Sequence, residues 1–275
     1  MRLESLFDHP QSLPSVPRIV QELIESFDSE LISFKELAPK LASDPVLSAR
    51  LLRLANSAYY HVSRPIGTVD DALTMLGFGA VRTLVISSGL THGFRNVPGL
   101  DLHRFWRFSL KVAGVSRTLA KMSQQNAEVA FTVGLMHSIG QLVMHTRMPE
   151  QMQQVARLVD AFDAMRFDVE RRTFGYTYAD VGAELAKRWR FPPGFAAAIA
   201  GFADPLALDP FEPMAGVLHL AVWRTRVEEQ ALSNEDMAAG LPGFVADQLH
   251  LGMDELMAMP TPSALCEGLE TLVDC

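Results

Sequence analysis

Helix starts and stops recur along this chain so closely that its apolar residues can be grouped in almost no other way. Asp44-Pro45, Thr68 with Asp71, Ser33 with Glu36, and Ser15 ahead of Pro17 each set a capping side chain or a first-turn proline before an apolar run. Gly77, Gly175, Pro192-Pro193 and Pro205 stand where such runs end. No segment of any length alternates apolar and polar residues with the period of two that a half-buried strand requires. The chain therefore reads as all-α.

The extended lead-in Leu13-Pro14-Ser15-Val16-Pro17 gives way to a helix through Ile19, Val20, Leu23, Ile24 and Phe27, which share one face. A second helix opens at the Ser33–Glu36 capping box and kinks at Pro39. The third, from Asp44-Pro45 through Val46 to Ala55, has apolar residues on nearly every side, which predicts deep burial. A short helix between Thr68 and Gly77 precedes an apolar one over 79–90. After the turn Asn96-Val97-Pro98-Gly99 the helices lengthen, with 102–122, 127–146, 149–165, 177–189, 193–202 and 212–230 expected. Residues 231–275 hold short amphipathic pieces around Phe244, Leu249, Leu256 and Leu272, suited to closing the core or to packing on a partner. The expected organisation is an N-terminal helical subdomain over 1–97, a helical core over 98–230 and a C-terminal helical segment over 231–275.

With 275 residues, 48% of them hydrophobic, the chain can bury a substantial core without cross-links. Its two cysteines, Cys266 and Cys275, form neither a disulfide framework nor a zinc-ribbon spacing, which suits a reducing cytoplasm. Met1 to Asp8 carries acidic residues where a secretory segment needs an unbroken apolar run, and no later stretch reads as long enough to cross a bilayer. The expectation is a soluble cytoplasmic protein without a membrane partner. A net charge of −8 argues against nucleic acid, whose binders present a basic field. Arg104, Arg107, Lys111 and Lys121 fall near one stripe of the 102–122 helix, a solvated face before it is an anion site. Met144, Met148, Met152 and Met165 read as core filling rather than as a recognition groove. Phosphate loops, dinucleotide fingerprints and Gly-x-Ser-x-Gly nucleophiles are absent from the sequence.

The most informative run is Gly134-Leu135-Met136-His137-Ser138-Ile139-Gly140-Gln141-Leu142. Leu13 to Pro17, Ser43 to Tyr60 and Ala72 to Gly77 precede it, and Tyr178 to Ala186 follows, with Trp189 and Phe191-Pro192 after that. In this order the motifs resemble the HDOD family, a branch of the HD phosphohydrolase superfamily found in bacterial signalling proteins. The resemblance covers roughly residues 10 to 225 and implies an HD-domain-like helical bundle with an additional N-terminal helical subdomain. Enzymes of the superfamily hold a divalent ion with a consecutive His-Asp pair, and the ion activates water for attack on a phosphoester. Here the first metal histidine would fall at Phe108, the acid of the pair at Ser138, and the lysine after it at Gln141. Later histidines would align near Tyr178 and with Phe202-Ala203, and the last aspartate near Val222. Phe, Ala and Val offer no donor and Ser a poor one, so the resemblance implies no metal, no cofactor and no catalysis. It implies instead a degenerate cavity lined and partly filled by Phe108, His137, Ser138, Tyr178, Phe202 and Val222.

His137, among Leu135, Met136 and Ile139, fits a satisfied interior residue better than a ligand. His145 lies two turns further on but is rotated away, while a rebuilt set of His137, His219 and Asp180 or Asp204 remains open. Asn56, Ser57, Tyr59 and Tyr60 either form an interaction surface or close the end of the preceding helix, with Arg53 and Arg82 packing at such ends. The function expected is a non-catalytic regulatory protein of bacterial signal transduction, acting through signalling partners or a small ligand. The rival is a divergent metal-dependent phosphohydrolase of nucleotides or cyclic dinucleotides. A nucleic-acid-associated regulator, with steep salt dependence, is a third reading.

Overall fold

The computed structural model describes residues 2–8, 17–25 and 34–273, and among them every regular element is helical. The lead-in 13–16, Phe27, Ser33 and Cys275 lie outside the described residues. Helices α1 (Arg18–Glu25), α2 (Phe34–Ala42) and α3 (Pro45–Ala55) pack on α4 (Val69–Gly93). The predicted caps act as expected: Asp44 accepts the N–H groups of Val46 and Leu47, and Thr68 accepts that of Asp71. Pro39 is accommodated inside α2. Gly77, at φ +76°, turns the chain between the two halves of α4, in a backbone region open to glycine at little cost.

Around α5 (Leu102–Met122) gather α6 (Ala127–Met136), α12 (Pro213–Glu229) and α16 (Pro262–Cys266). The layer is extended by α7 (Ile139–Arg147), with α8 (Pro149–Ala156) and α10 (Tyr178–Arg188) against it, and by α11 (Pro193–Gly201), which bridges α10 and α12. The N-terminal helices meet this group where α4 touches α6, across a buried hydrogen bond between the Thr83 and Thr132 hydroxyls. Past α12 come α13 (Asn234–Ala239), α14 (Gly243–Gln248), α15 (Met253–Met257) and α16. Leu249, Leu256 and Leu272 are buried while Phe244 stands exposed. The Cys266 thiol donates to the Leu110 carbonyl of α5, and the 3-10 turn Glu270–Leu272 reaches α3 and α4.

Five expectations are corrected. The 127–146 helix is two, α6 and α7, separated at His137 and Ser138. The 149–165 helix stops at Ala156, and α9 (Arg166–Phe174) follows as an element of its own. Helix α3 is not buried all round: Leu47, Leu51, Leu54 and Ala55 face the core, but Val46 is 62% exposed. Two segments, Val69–Gly93 and Ala127–Arg147, are long and apolar enough to cross a bilayer, and most of each lies inside the helical core. Of the four methionines, Met144, Met148 and Met152 are buried and Met165 is exposed.

Candidate functional site

Breaking α6 from α7 places His137 in the interior. Its Nδ1 lies 2.7 Å from the Gly134 carbonyl, which can only accept, so Nδ1 carries the proton. Helix α7 then crosses α10 so closely that a Cβ on Gly140 would sit 1.9 Å from the Tyr178 carbonyl oxygen. This crossing sets Tyr178 beside the break. Its own helix is started by a capping box between Thr177 and Asp180 and by the Glu170 carboxylate, which accepts the Tyr178 N–H at 2.7 Å.

Around His137 the structure assembles a chain of rings. Phe108 of α5 lies 5.9 Å from the imidazole, ring centre to ring centre, and Phe202 meets it edge-on at 5.8 Å. Phe108 stacks on Phe162 at 4.2 Å, Phe202 contacts Phe167 at 5.3 Å, and Phe167 stacks on Tyr178 at 4.8 Å. Such pairs add about 0.5–1.5 kcal/mol each beyond the burial of their surface. Phe108, His137, Ser138, Tyr178, Phe202 and Val222 are all 2% exposed or less. The Ser138 hydroxyl has that of Ser109 at 3.4 Å. Burial in this apolar shell pushes the His137 imidazole down to about 3, so it is neutral at pH 7.

These side chains do not fit a divalent ion. Of the positions that would carry donors, 108, 202 and 222 hold carbon side chains, and among the described residues no three His, Cys, Asp or Glu side chains converge. The rebuilt set does not form: Asp180 is engaged in the capping box, Asp204 is exposed, and the Nδ1 of His219 bonds the Phe202 carbonyl. His145 bonds the Pro98 carbonyl, away from His137. Ala203 and Val222 line a cavity of about 360 Å3 beside the ring cluster, together with His219, Trp223 and Arg226 of α12.

Sequence reasoning missed Phe162 and Phe167, which complete the cluster, and the ion pair of Arg166 and Glu170 beneath them at 2.6 Å. Burial raises the Glu170 carboxyl, with Arg166 and the Tyr178 N–H working against the shift. The i,i+4 spacing of Arg166 and Glu170 was the signal available for α9. Half of the basic stripe of α5 is neutralised: Arg104 grips Asp160 through two bonds, and Lys111 meets Glu228 and Glu229. Asn56 bonds Leu52 and both backbone groups of Ile66, while the Tyr59 hydroxyl accepts from Arg117 at 2.8 Å. Tyr60 meets Tyr59 edge-on, Ser57 precedes their 3-10 turn, and Arg82 lies over the Phe78 ring. The polar groups of Asn56 and Tyr59 are thus engaged within the chain.

Fold and site together define an HD-type helical scaffold whose interior is packed with rings where such a fold would hold ligands. The HDOD domain model matches residues 13–205, and the chain belongs to the HDOD family. It is similar to a protein of Shewanella amazonensis SB2B provisionally named a phosphohydrolase, with 30% identity, a TM-score of 0.78, and coverage of 98% of this chain and 96% of that one. An HDOD domain protein of unknown function from Geobacter sulfurreducens shares the fold at 23% identity and a TM-score of 0.78, over 98% of this chain and 97% of that one. An uncharacterized protein of Treponema pallidum (strain Nichols) is 20% identical over 190 residues, which are 68% of this chain and 37% of that protein. The chain thus spans little more than a third of that curated relative's length.

Proposed function

We propose that this chain is a non-catalytic regulatory module of cytoplasmic bacterial signalling, working by binding a protein partner or a small ligand. The observation that carries the reading is the ring cluster. His137 is neutral, bonded to Gly134 and enclosed by Phe108 and Phe202, so the set of donors that would hold an ion and activate a water is not gathered around it. A scaffold of this kind transmits rather than transforms: partner binding displaces a helix face or the C-terminal segment, which touches both halves of the fold.

Elemental analysis of protein purified without chelator or metal-affinity resin, beside His137→Ala, tests the reading, together with phosphate release from nucleotides and the opening of cyclic dinucleotides to linear products. The expected result is no stoichiometric metal and no turnover in either protein. Near-stoichiometric iron, manganese, zinc or nickel that disappears in His137→Ala, with turnover that disappears alongside it, would overturn the reading in favour of a phosphohydrolase.

A further inference from the structure

One cation of this fold lies largely buried at a cavity wall without a counter-ion. Arg226 projects from α12 and donates through Nε to the Phe162 carbonyl at 2.6 Å and through Nη2 to that of Asp163 at 3.4 Å. No described carboxylate lies within ion-pair distance of it. The Asp163 carboxylate instead accepts the Met165 N–H, and Asp236, on the cavity rim, accepts from Ser233. A guanidinium withdrawn from water and satisfied only by neutral carbonyls is costly to keep unpaired. Its environment is consistent with that cost, since burial lowers its proton affinity despite weak support from Tyr178 and Asp163.

The cavity has the size and lining of a small-molecule site. Its volume of about 360 Å3 falls in the range of about 300–1,000 Å3 that such sites occupy. His219, Val222, Trp223 and Arg226 form one stripe of α12, Val222 and Trp223 each lying three or four residues from His219 and from Arg226. Phe167 of α9 adds a second aromatic wall, already held by stacking on Tyr178. His219 keeps its Nδ1 proton on the Phe202 carbonyl, which leaves Nε2 as an acceptor. Leu232, Gly240 and Pro242 supply the remaining wall from the chain that follows α12.

We propose that this cavity binds a small anion carrying a planar ring, with Arg226 meeting the charge and Trp223 and Phe167 meeting the ring. The assignment rests on the regulatory reading above and names the ligand chemistry for it. Because part of the wall belongs to residues 232–242, occupancy also fixes the start of the C-terminal segment against the core.

Titration calorimetry with adenosine monophosphate, 4-hydroxybenzoate and inorganic phosphate tests the site and separates nucleotide from aromatic carboxylate sources. Phosphate release is followed in the same samples, with and without added divalent metal. One ring-bearing anion is expected to bind about tenfold or more tightly than phosphate, and Arg226→Gln is expected to weaken it by about tenfold or more. Ala164→Trp, on an exposed wall residue, is expected to block the cavity with the fold retained. Equal binding of bare phosphate, binding unchanged in both variants, or no binding at about millimolar concentrations overturns the site and leaves the regulatory reading standing. Binding followed by turnover overturns that reading and leaves the site standing.

Discussion

His137 shows how much a single side chain can report about the interior it occupies. In the folded protein burial holds its imidazole at about 3, whereas in the unfolded chain it returns to the ordinary 6.5. Between those values the unfolded state binds the proton and the folded state does not. Stability that is fully present above pH 6.5 is therefore lost as pH falls towards 3, at up to about 1.4 kcal/mol per pH unit. His145 and His219, also lowered by burial, add to the loss. Urea unfolding of wild type and His137→Phe at pH 7, 6, 5 and 4 should show the variant less stable at pH 7 by about 1–3 kcal/mol, because the Gly134 carbonyl loses its imidazole donor and keeps only the long bond from the His137 backbone N–H. Its dependence on pH should be shallower. A variant curve parallel to that of wild type would mean that His137 takes up its proton in the fold as readily as in the unfolded chain, and that the shell around it is wet.

Helix starts were legible because their signals are local. Asp44, Thr68, Asp101 and Thr177 each cap their own helix through side-chain oxygens two or three residues from the amides they accept. Breaks were less so. The gap between α6 and α7 has neither glycine nor proline at His137 or Ser138 to mark it, and both residues are buried beside the close crossing at Gly140. The stretch after α8 is likewise held by distant donors, with Gln141 bonding the Ala161 carbonyl and Arg226 that of Phe162. Its local signal was present but easily overlooked: Asp160 and Asp163 each accept the N–H two residues on, as aspartates in turns do. Phe108, Tyr178, Phe202 and His137 could be picked out by motif resemblance, but Phe162 and Phe167 belong to that irregular stretch and its sequel, where no motif pointed. The crossing gives an element-scale prediction. Gly140→Ala would drive a methyl into the Tyr178 carbonyl, part α7 from α10, and cost about 3 kcal/mol or more. Gly194→Ala in α11, where a Cβ meets nothing within 4 Å, should be neutral or stabilise by up to about 1 kcal/mol. Thermal denaturation of the two variants compares them directly, and similar melting temperatures would show that the crossing yields.

At the scale of the molecule, the C-terminal segment joins what a sequence reading divides at the turn of residues 96–99. Helix α16 seals α5, where Gly114 leaves room for the Cys266 sulfur, and the turn after it reaches α3 and α4. Burial pushes the Cys266 thiol up to about 12, so within the closed fold it is neither accessible nor ionised. In a Cys275→Ser background, labelling of Cys266 by a thiol reagent should track detachment of this segment. Rates that match global unfolding would make the segment part of the cooperative core; rates that exceed it would identify the segment as the piece that opens first. The ring cluster also carries a consequence for redesign. Each ring is held by the next, from Phe162 through Phe108, His137, Phe202 and Phe167 to Tyr178, so replacing any one by a metal-binding residue opens a hole without completing a coordination sphere. Building a metal site into this cluster would demand several coordinated replacements, each costly in packing on its own, so the rings resist conversion one substitution at a time.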